Sequence, residues 1–357
     1  MFDHYTSSLA KGVKSVYSDD PDNVLSYRLQ ANVTRFAAFK TAHVTRLLKG
    51  ILNDDTTPVK ERDSKAKQML KTFDRYQKSE AEMAVIRSRT AKQFSEFMQP
   101  DSLRLFPSLR WVPSRSVQQR EEHIPYYNRV WRKDDPFWAL NTPGTLWGCK
   151  CDVEETNDAV TDNYEVKEVK PQQGLEGNPA ITGEVFTDNI SYTRKAGNIK
   201  LDEDTHEKYP NLQTLINADG KSWRSDYYTN DGGVLITSRK RIAEADLNKQ
   251  ELEKFNKEYG MCRALAMNGH RVVYRETVEG SFDILLDDKP ADLKKTASDG
   301  NIVKYANKAV NRQGAELVVF EFVNETAKIH ARIEKLKQLN LKGYYFFSRD
   351  KTKLYPF

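Results

Sequence analysis

The chain has 357 residues, room for two domains and a third small unit. Hydrophobic residues make up 38% and charged residues 30%; no apolar run reaches the roughly 18 residues of a membrane-spanning helix. The formal charge of +5 does not by itself argue for nucleic acid, but from Leu293 onward 13 Lys and Arg stand against 6 Asp and Glu. That basic last third suits a phosphate-rich partner. The first residues, "MFDHYTSSLAKG", lack the charged-then-apolar pattern of a signal peptide. Three cysteines fit a reducing compartment, and Cys149 and Cys151 are too close in sequence to cross-link comfortably, so synthesis in the cytoplasm is expected.

Residues 22–52 read as a helix carrying Val24, Leu25, Tyr27, Leu29, Val33, Phe36 and Phe39 near helical spacing. "NDDTTP" breaks it, and 59–98 reads as a second long helix with Met69, Leu70, Phe73, Tyr76, Met83, Ile86, Phe94 and Phe97. The pair predicts a helical hairpin or an extended arm. From 100 to 155 helical periodicity fades and Pro, Trp and Tyr become dense, which predicts a compact, irregular unit with short strands. Residues 156–230 are polar and aperiodic and read as a tail and linker, ordered in part only against another surface.

A clean pattern returns with a strand at 232–238 and a helix at 244–268, with Gly269 in the C-cap place. Strands follow at 271–276, 282–288 and 290–295, then a helix at 299–313, a strand at 315–322, a helix at 325–339 and a strand at 343–349. The fold class is therefore α+β and multidomain: long N-terminal helices with a compact irregular domain (1–155), a tail and linker (156–230), and a C-terminal α/β domain with a mixed central sheet (231–357).

Two stretches carry chemistry. In "REEHIPYYNRVWRKDDPFWALNTPGTLWGCKCDVEE", His123, Cys149 and Cys151 offer three soft metal ligands, and Asp135 or Asp152 would complete the four that zinc takes. The competing reading is a packed corner in which Trp131, Phe137, Trp138 and Trp147 bury area and the cysteines act as small apolar residues; the aromatic density favours it. Redox chemistry is disfavoured, because the Cys-x-Cys lacks a helix start to acidify a thiol.

The order of rare residues here resembles the phage Mu F-like head morphogenesis family of minor head proteins. Arg110, Arg120 and His123 match its first element, Asp134 to Trp138 its second, and Trp147, Cys149, Lys150 and Cys151 its third. Thr142 stands where the family often has proline, and Lys150 where it often has arginine. The stretch "GLEGNPAITGEVF" also looks like that family's tail, so the resemblance covers roughly residues 1–200. It implies a structural protein that associates with a phage portal and prohead, virion-associated, and it carries over no catalytic residues.

In the second stretch, "FDILLDDKPADLKK", Asp283 precedes Asp292 by nine residues, and Lys294 follows two later. Strand alternation places 292 and 294 on one face. Two carboxylates that hold Mg²⁺ or Mn²⁺ (or Zn²⁺), with an amine beside them, are what metal-dependent phosphodiester cleavage needs. Glu258 or Glu251 on the preceding helix would complete the set, and Gln313 would orient it from the other side. The order of elements resembles a PD-(D/E)xK nuclease core, with Phe282 in place of the usual proline and Asp292 in place of the commoner glutamate. "DILLDDKPADLK" and "NIVKYANKAVNRQGAELVVFEF" further resemble the CdiA-type tRNA nuclease domains of contact-dependent inhibition toxins. That resemblance spans about 231–357. It implies an endoribonuclease acting on tRNA, with Glu258, Asp283, Asp292 and Lys294 as its site and an immunity protein as a possible partner. Related toxins of the barnase, EndoU, colicin and RelE-like group cleave RNA without metal; His270, His330, Arg312 and Lys304 are available for that route.

Lys304, Lys308 and Arg312 at four-residue spacing form either a solvated helix face or a track for RNA phosphates. Tyr305, Tyr344 and Tyr345 are candidates for base stacking or for core packing. The leading expectation is a phage minor head protein with a metal-dependent ribonuclease at its C-terminal end. The alternative is a purely structural head protein whose C-terminal domain binds nucleic acid without cutting it.

Overall fold

The computed structural model describes every residue except 118, 120, 163–165, 168, 230 and 231. Arg120 lies outside the described residues. The chain separates into two compact units, Met1–Ile199 and Lys200–Phe357.

The first unit is built on three helices: α1 (Phe2–Val16), α2 (Val24–Leu52) and α3 (Val59–Phe97). The two long helices match their expected spans closely. Helix α1 was not foreseen, although Tyr5, Leu9 and Val13 repeat every four residues and bury one face. Asn23 starts α2 by accepting the backbone N–H groups of Leu25 and Ser26. Beyond α3, β1 (Ser108–Val112) lies between β2 (Val130–Arg132) and β3 (Asp152–Thr156) in a small antiparallel sheet. Leu109, Trp111, Tyr126, Trp131, Phe137, Trp138, Cys149 and Cys151 pack into one core on this frame. Trp147 departs from the expected corner; it is half-buried and stacks on Phe186.

The segment after β3 owes its order to docking. Asn32 of α2 accepts N–H groups of Val185 and Phe186 and donates to the Phe186 carbonyl, at 2.8–3.0 Å. Arg87 of α3, fully buried, donates to the carbonyls of Gly144, Leu175, Glu176, Gly177 and Glu184. Gly144, at φ +90°, lets the chain approach closely: a Cβ there would come within 3.0 Å of the Arg87 side chain. The stretch expected as tail and linker thus contains short helices at Pro179–Thr182 and Ser191–Ala196 in this unit, and at Glu203–Lys208 and Leu212–Asn217 in the next.

The second unit is a mixed eight-stranded sheet in the order β11-β10-β9-β8-β7-β6-β5-β4. Its strands are β4 (Trp223–Tyr228), β5 (Val234–Ser238), β6 (Arg271–Tyr274), β7 (Ile284–Leu286), β8 (Lys289–Thr296), β9 (Leu317–Phe322), β10 (Gly343–Phe347) and β11 (Asp350–Pro356). The helix expected at 244–268 is two, α4 (Arg239–Ala245) and α5 (Lys249–Met267). They are separated where Asn248 turns its side chain to cap the N–H of Glu251. Helices α6 (Ile302–Gln313) and α7 (Ala327–Gln338) bury Ile302, Ala306, Ile329 and Ile333 against Val318, Phe320 and Phe322 of β9.

Two features of this sheet position the site. Strands β7 and β8 are joined by the two-residue turn Asp287–Asp288, both at positive φ (+50° and +68°), the backbone of a tight hairpin. Its register sets Ile284 opposite Ala291, and Asp283 lies just beyond that last pair, beside the stretch Ala291–Leu293. On the other side, parallel pairing sets Asp292 beside Val318 and Lys294 beside Phe320. Asp292 and Lys294 therefore share the sheet face on which α6 and α7 pack.

Candidate active site

Asp292 sits in the middle of β8 with no solvent exposure. Its Oδ2 is in ion-pair contact with the Lys294 ammonium, yet among the described residues neither carboxylate oxygen receives a directed hydrogen bond. Burial pushes the Asp292 carboxyl up to about 7, and the nearby charge of Asp283 adds to the shift while Lys294 opposes it. Asp283 continues the hairpin past its last formal pair. Its backbone N–H bonds the Ala291 carbonyl at 3.1 Å, and its carboxylate accepts the Leu293 N–H at 2.8 Å. Two carboxylates and one amine are thus gathered where β7 begins beside the middle of β8. Adjacent Lys295 turns to the other face and pairs with buried Glu321 at 2.7 Å.

Glu258 is placed differently. Tyr274 Oη donates to it at 2.6 Å, and buried Arg241 lies 3.4 Å away. Burial, then the charge of Asp283, raises its carboxyl above the ordinary range. Tyr274 is in register with Ile284, which pairs with Ala291, the alternate face of β8 from Asp292. Glu258 is therefore linked to the pair electrostatically through Asp283. The carboxylates of Glu258, Asp283 and Asp292 do not close into a three-ligand group within 4.8 Å. Glu251 points to Arg241, 3.7 Å away. Gln313 donates to the Ser281 carbonyl at 3.4 Å, in the loop that leads to Asp283. Sequence reasoning missed Arg241 and Tyr274. Arg241 Nε donates to Tyr274 Oη at 2.9 Å, and this hub draws on α4, α5 and β6, a convergence no local pattern announces.

Lys304, Lys308 and Arg312 are exposed along one side of α6. His270 stands at the opposite end of β6 from Tyr274. It is bonded to Asp287 at 2.6 Å and lies edge-on to Tyr344. His330, on α7, contacts Glu325 at 3.1 Å. Each histidine thus has a carboxylate partner of its own, distinct from Asp283 and Asp292. Tyr345 stacks on Tyr355 and packs against the core beneath α6 and α7.

In the first unit, His123 Nδ1 lies 3.4 Å from Cys149 Sγ and 3.7 Å from Cys151 Sγ. Among the described residues this is the one group of three or more His, Cys, Asp or Glu side chains whose ligand atoms all lie within 4.8 Å of one another. All three are buried inside the aromatic core, so packing and clustering coincide here. Hydrogen bonding from Cys151, then from His123, draws the Cys149 thiol well below the ordinary range, and the Cys151 thiol is pushed up by its neighbour Cys149 and by burial. Asp135 and Asp152 do not complete the set: Asp135 caps the Phe137 N–H, and Asp152 accepts from Gln93, both at 2.9 Å.

Comparison with known proteins gives two similarities. The chain is 24% identical over 178 residues to "Putative capsid assembly protein F" of Escherichia phage Mu, a match covering 48% of this chain and 37% of that protein. It thus spans little more than a third of the curated relative's length. Among solved structures, it aligns with a chain of the CdiA-CT/CdiI toxin and immunity complex from Burkholderia pseudomallei. That alignment has 18% identity, covers 31% of this chain and 88% of that one, and has a TM-score of 0.26, too low to define a shared fold. No family model matches the sequence. No helix among the described residues is long and apolar enough to cross a membrane.

Proposed function

We propose that this chain is a phage head-assembly protein carrying a metal-dependent endoribonuclease in its C-terminal unit, with tRNA the favoured substrate. The similarity to the Mu protein, together with the ordered motif residues between Arg110 and Cys151, supports the head-assembly part. Residues 1–155 and the docked segment after them would meet portal or prohead proteins. The protein would be made in the cytoplasm of the producing bacterium and become virion-associated.

The observation that carries the nuclease part is Asp292: a buried carboxylate without directed hydrogen bonds, close enough to Asp283 to feel its charge and in ion-pair contact with Lys294. A buried charge left in that condition is costly unless a partner completes it. A donor set of carboxylate oxygens fits a hard divalent cation such as Mg²⁺ or Mn²⁺, with Asp283 and Asp292 as its holders. When bound, such a cation supplies Lewis-acid polarisation of a phosphodiester and a water of lowered pKa. Lys294 stabilises negative charge gathering on the phosphate from the same face of β8. Asp283 keeps its carboxylate aimed through the Leu293 N–H, and Glu258 tunes the site's charge through Asp283. Lys304, Lys308 and Arg312, exposed on a helix that packs on this face, form the phosphate track.

The test is cleavage of tRNA by the full chain with Mg²⁺ or Mn²⁺ and with EDTA, beside Asp292→Ala and Lys294→Ala. Metal-dependent cleavage lost in both variants supports the reading. Cleavage that persists in EDTA overturns the metal role. RNA binding without cleavage, in folded protein, points to the structural alternative, which the Lys294 contact on Asp292 Oδ2 would favour.

A further inference from the structure

We propose that His123, Cys149 and Cys151 bind a zinc ion that staples the first unit, a site independent of the nuclease reading. A tetrahedral zinc with Zn–S near 2.3 Å and Zn–N near 2.0–2.1 Å has N···S edges of about 3.6 Å. The two N···S separations here, 3.4 and 3.7 Å, bracket that edge. Ligand type agrees as well: two sulfurs and one imidazole nitrogen are a soft set that selects zinc over the hard cations suited to carboxylates.

Hydrogen bonding alone leaves the cluster incomplete. His123 Nδ1 faces both sulfurs, and a ring nitrogen has one hydrogen or one lone pair to offer. An ion that takes Nδ1 and both thiolates satisfies all three ligands at once.

The placement is that of a staple. His123 lies in the 3-10 turn Glu121–Tyr126, and the cysteines lie 26 and 28 residues later where the chain enters β3. The frame between them has only the three-residue strand β2 and one helical turn, Phe137–Leu140, and a metal cross-link restrains such a loop-rich unit. Cys149 and Cys151 also line a cavity of about 450 Å³ with Glu82, Arg89, Arg115 and Lys150. That cavity is where an exchangeable fourth ligand would stand.

The experiment uses the full chain, purified under reducing conditions without chelator. Elemental analysis is expected to find one zinc per chain, retained in Cys262→Ser and Asp292→Ala and lost in His123→Gln and Cys149→Ser. Cobalt substitution of the unaltered chain is expected to give thiolate-to-metal charge-transfer bands and the strong visible bands of tetrahedral coordination. Because that spectrum needs no variant, misfolding of His123→Gln or Cys149→Ser cannot decide the matter. Three results would overturn the proposal: no zinc and no cobalt bands in folded protein after reconstitution, zinc content unchanged by both ligand substitutions, or an intact mass revealing a Cys149–Cys151 disulfide.

Discussion

Arg87 and Asp292 are both buried ions, one in each unit, and the fold treats them in opposite ways. Arg87 is surrounded by five carbonyls drawn from three loop segments, so its charge is spent holding chain in place. Lys40 follows the same rule, with Glu80 at 2.5 Å and Tyr192 completing Glu80 at 3.0 Å. Asp292 has an ion-pair neighbour but no directed hydrogen bond among the described residues. Burial alone does not mark a functional charge. The difference lies in how many directed partners each has: five carbonyls for Arg87, with only its Nε left over, and none for Asp292 among the described residues.

That contrast can be broken most directly at Asp292. Asp292→Ala should lower metal-dependent RNA cleavage by about 10²–10⁴-fold. Asp292→Asn should lose activity similarly yet melt higher at pH 8, since it removes a buried carboxylate whose desolvation the partly exposed Lys294 ammonium offsets only in part. A lower melting temperature in Asp292→Asn would mean the carboxylate is structural after all. Arg87→Ala should do the reverse, costing about 3–5 kcal/mol in denaturant titration by orphaning buried carbonyls, while cleavage at saturating metal is retained. Lys40→Ala should cost a comparable amount, and the double change Lys40→Met with Glu80→Leu should recover most of it.

The pH dependence separates the two kinds of charge further. The Asp292 carboxyl, ordinarily near 3.8, titrates near 7 in the fold. Between those values the folded chain holds a proton the unfolded chain has released. This group's contribution to stability therefore falls as pH rises across that window and levels off above it. Cleavage should rise over the same range as the carboxylate becomes free to hold metal, and Asp292→Asn should flatten the stability slope. The smallest effect belongs to the exposed track. Changing Lys304, Lys308 and Arg312 to Gln should reduce the salt slope of RNA binding by about 0.7 per charge. It should shift stability by less than about 0.5 kcal/mol.

The sequence disclosed elements wherever one pattern acts alone. Helices α2 and α3 were legible from apolar spacing, and β8 and β9 from their strand composition. Helix α1 is legible too, through the four-residue repeat of Tyr5, Leu9 and Val13. Strand β11 is an edge strand of polar, mostly exposed residues, so no buried face betrays it. The spacing of Asp283, Asp292 and Lys294 was visible because a hairpin is local. The Arg241–Tyr274–Glu258 hub was not, since it exists only once α4, α5 and β6 have packed. The closeness of His123 to both cysteines likewise depends on the aromatic core folding around them.

One consequence of the Asp287–Asp288 turn reaches beyond its own strands. With only two residues at the tip, the hairpin acts as a ruler that measures Asp283 against Asp292. One residue inserted there would slip β8 by a single step and present Ala291 or Leu293 in place of the acid. Natural length variation in this domain should therefore spare that tip, and an epitope placed in it should abolish the proposed cleavage without touching any side chain of the site.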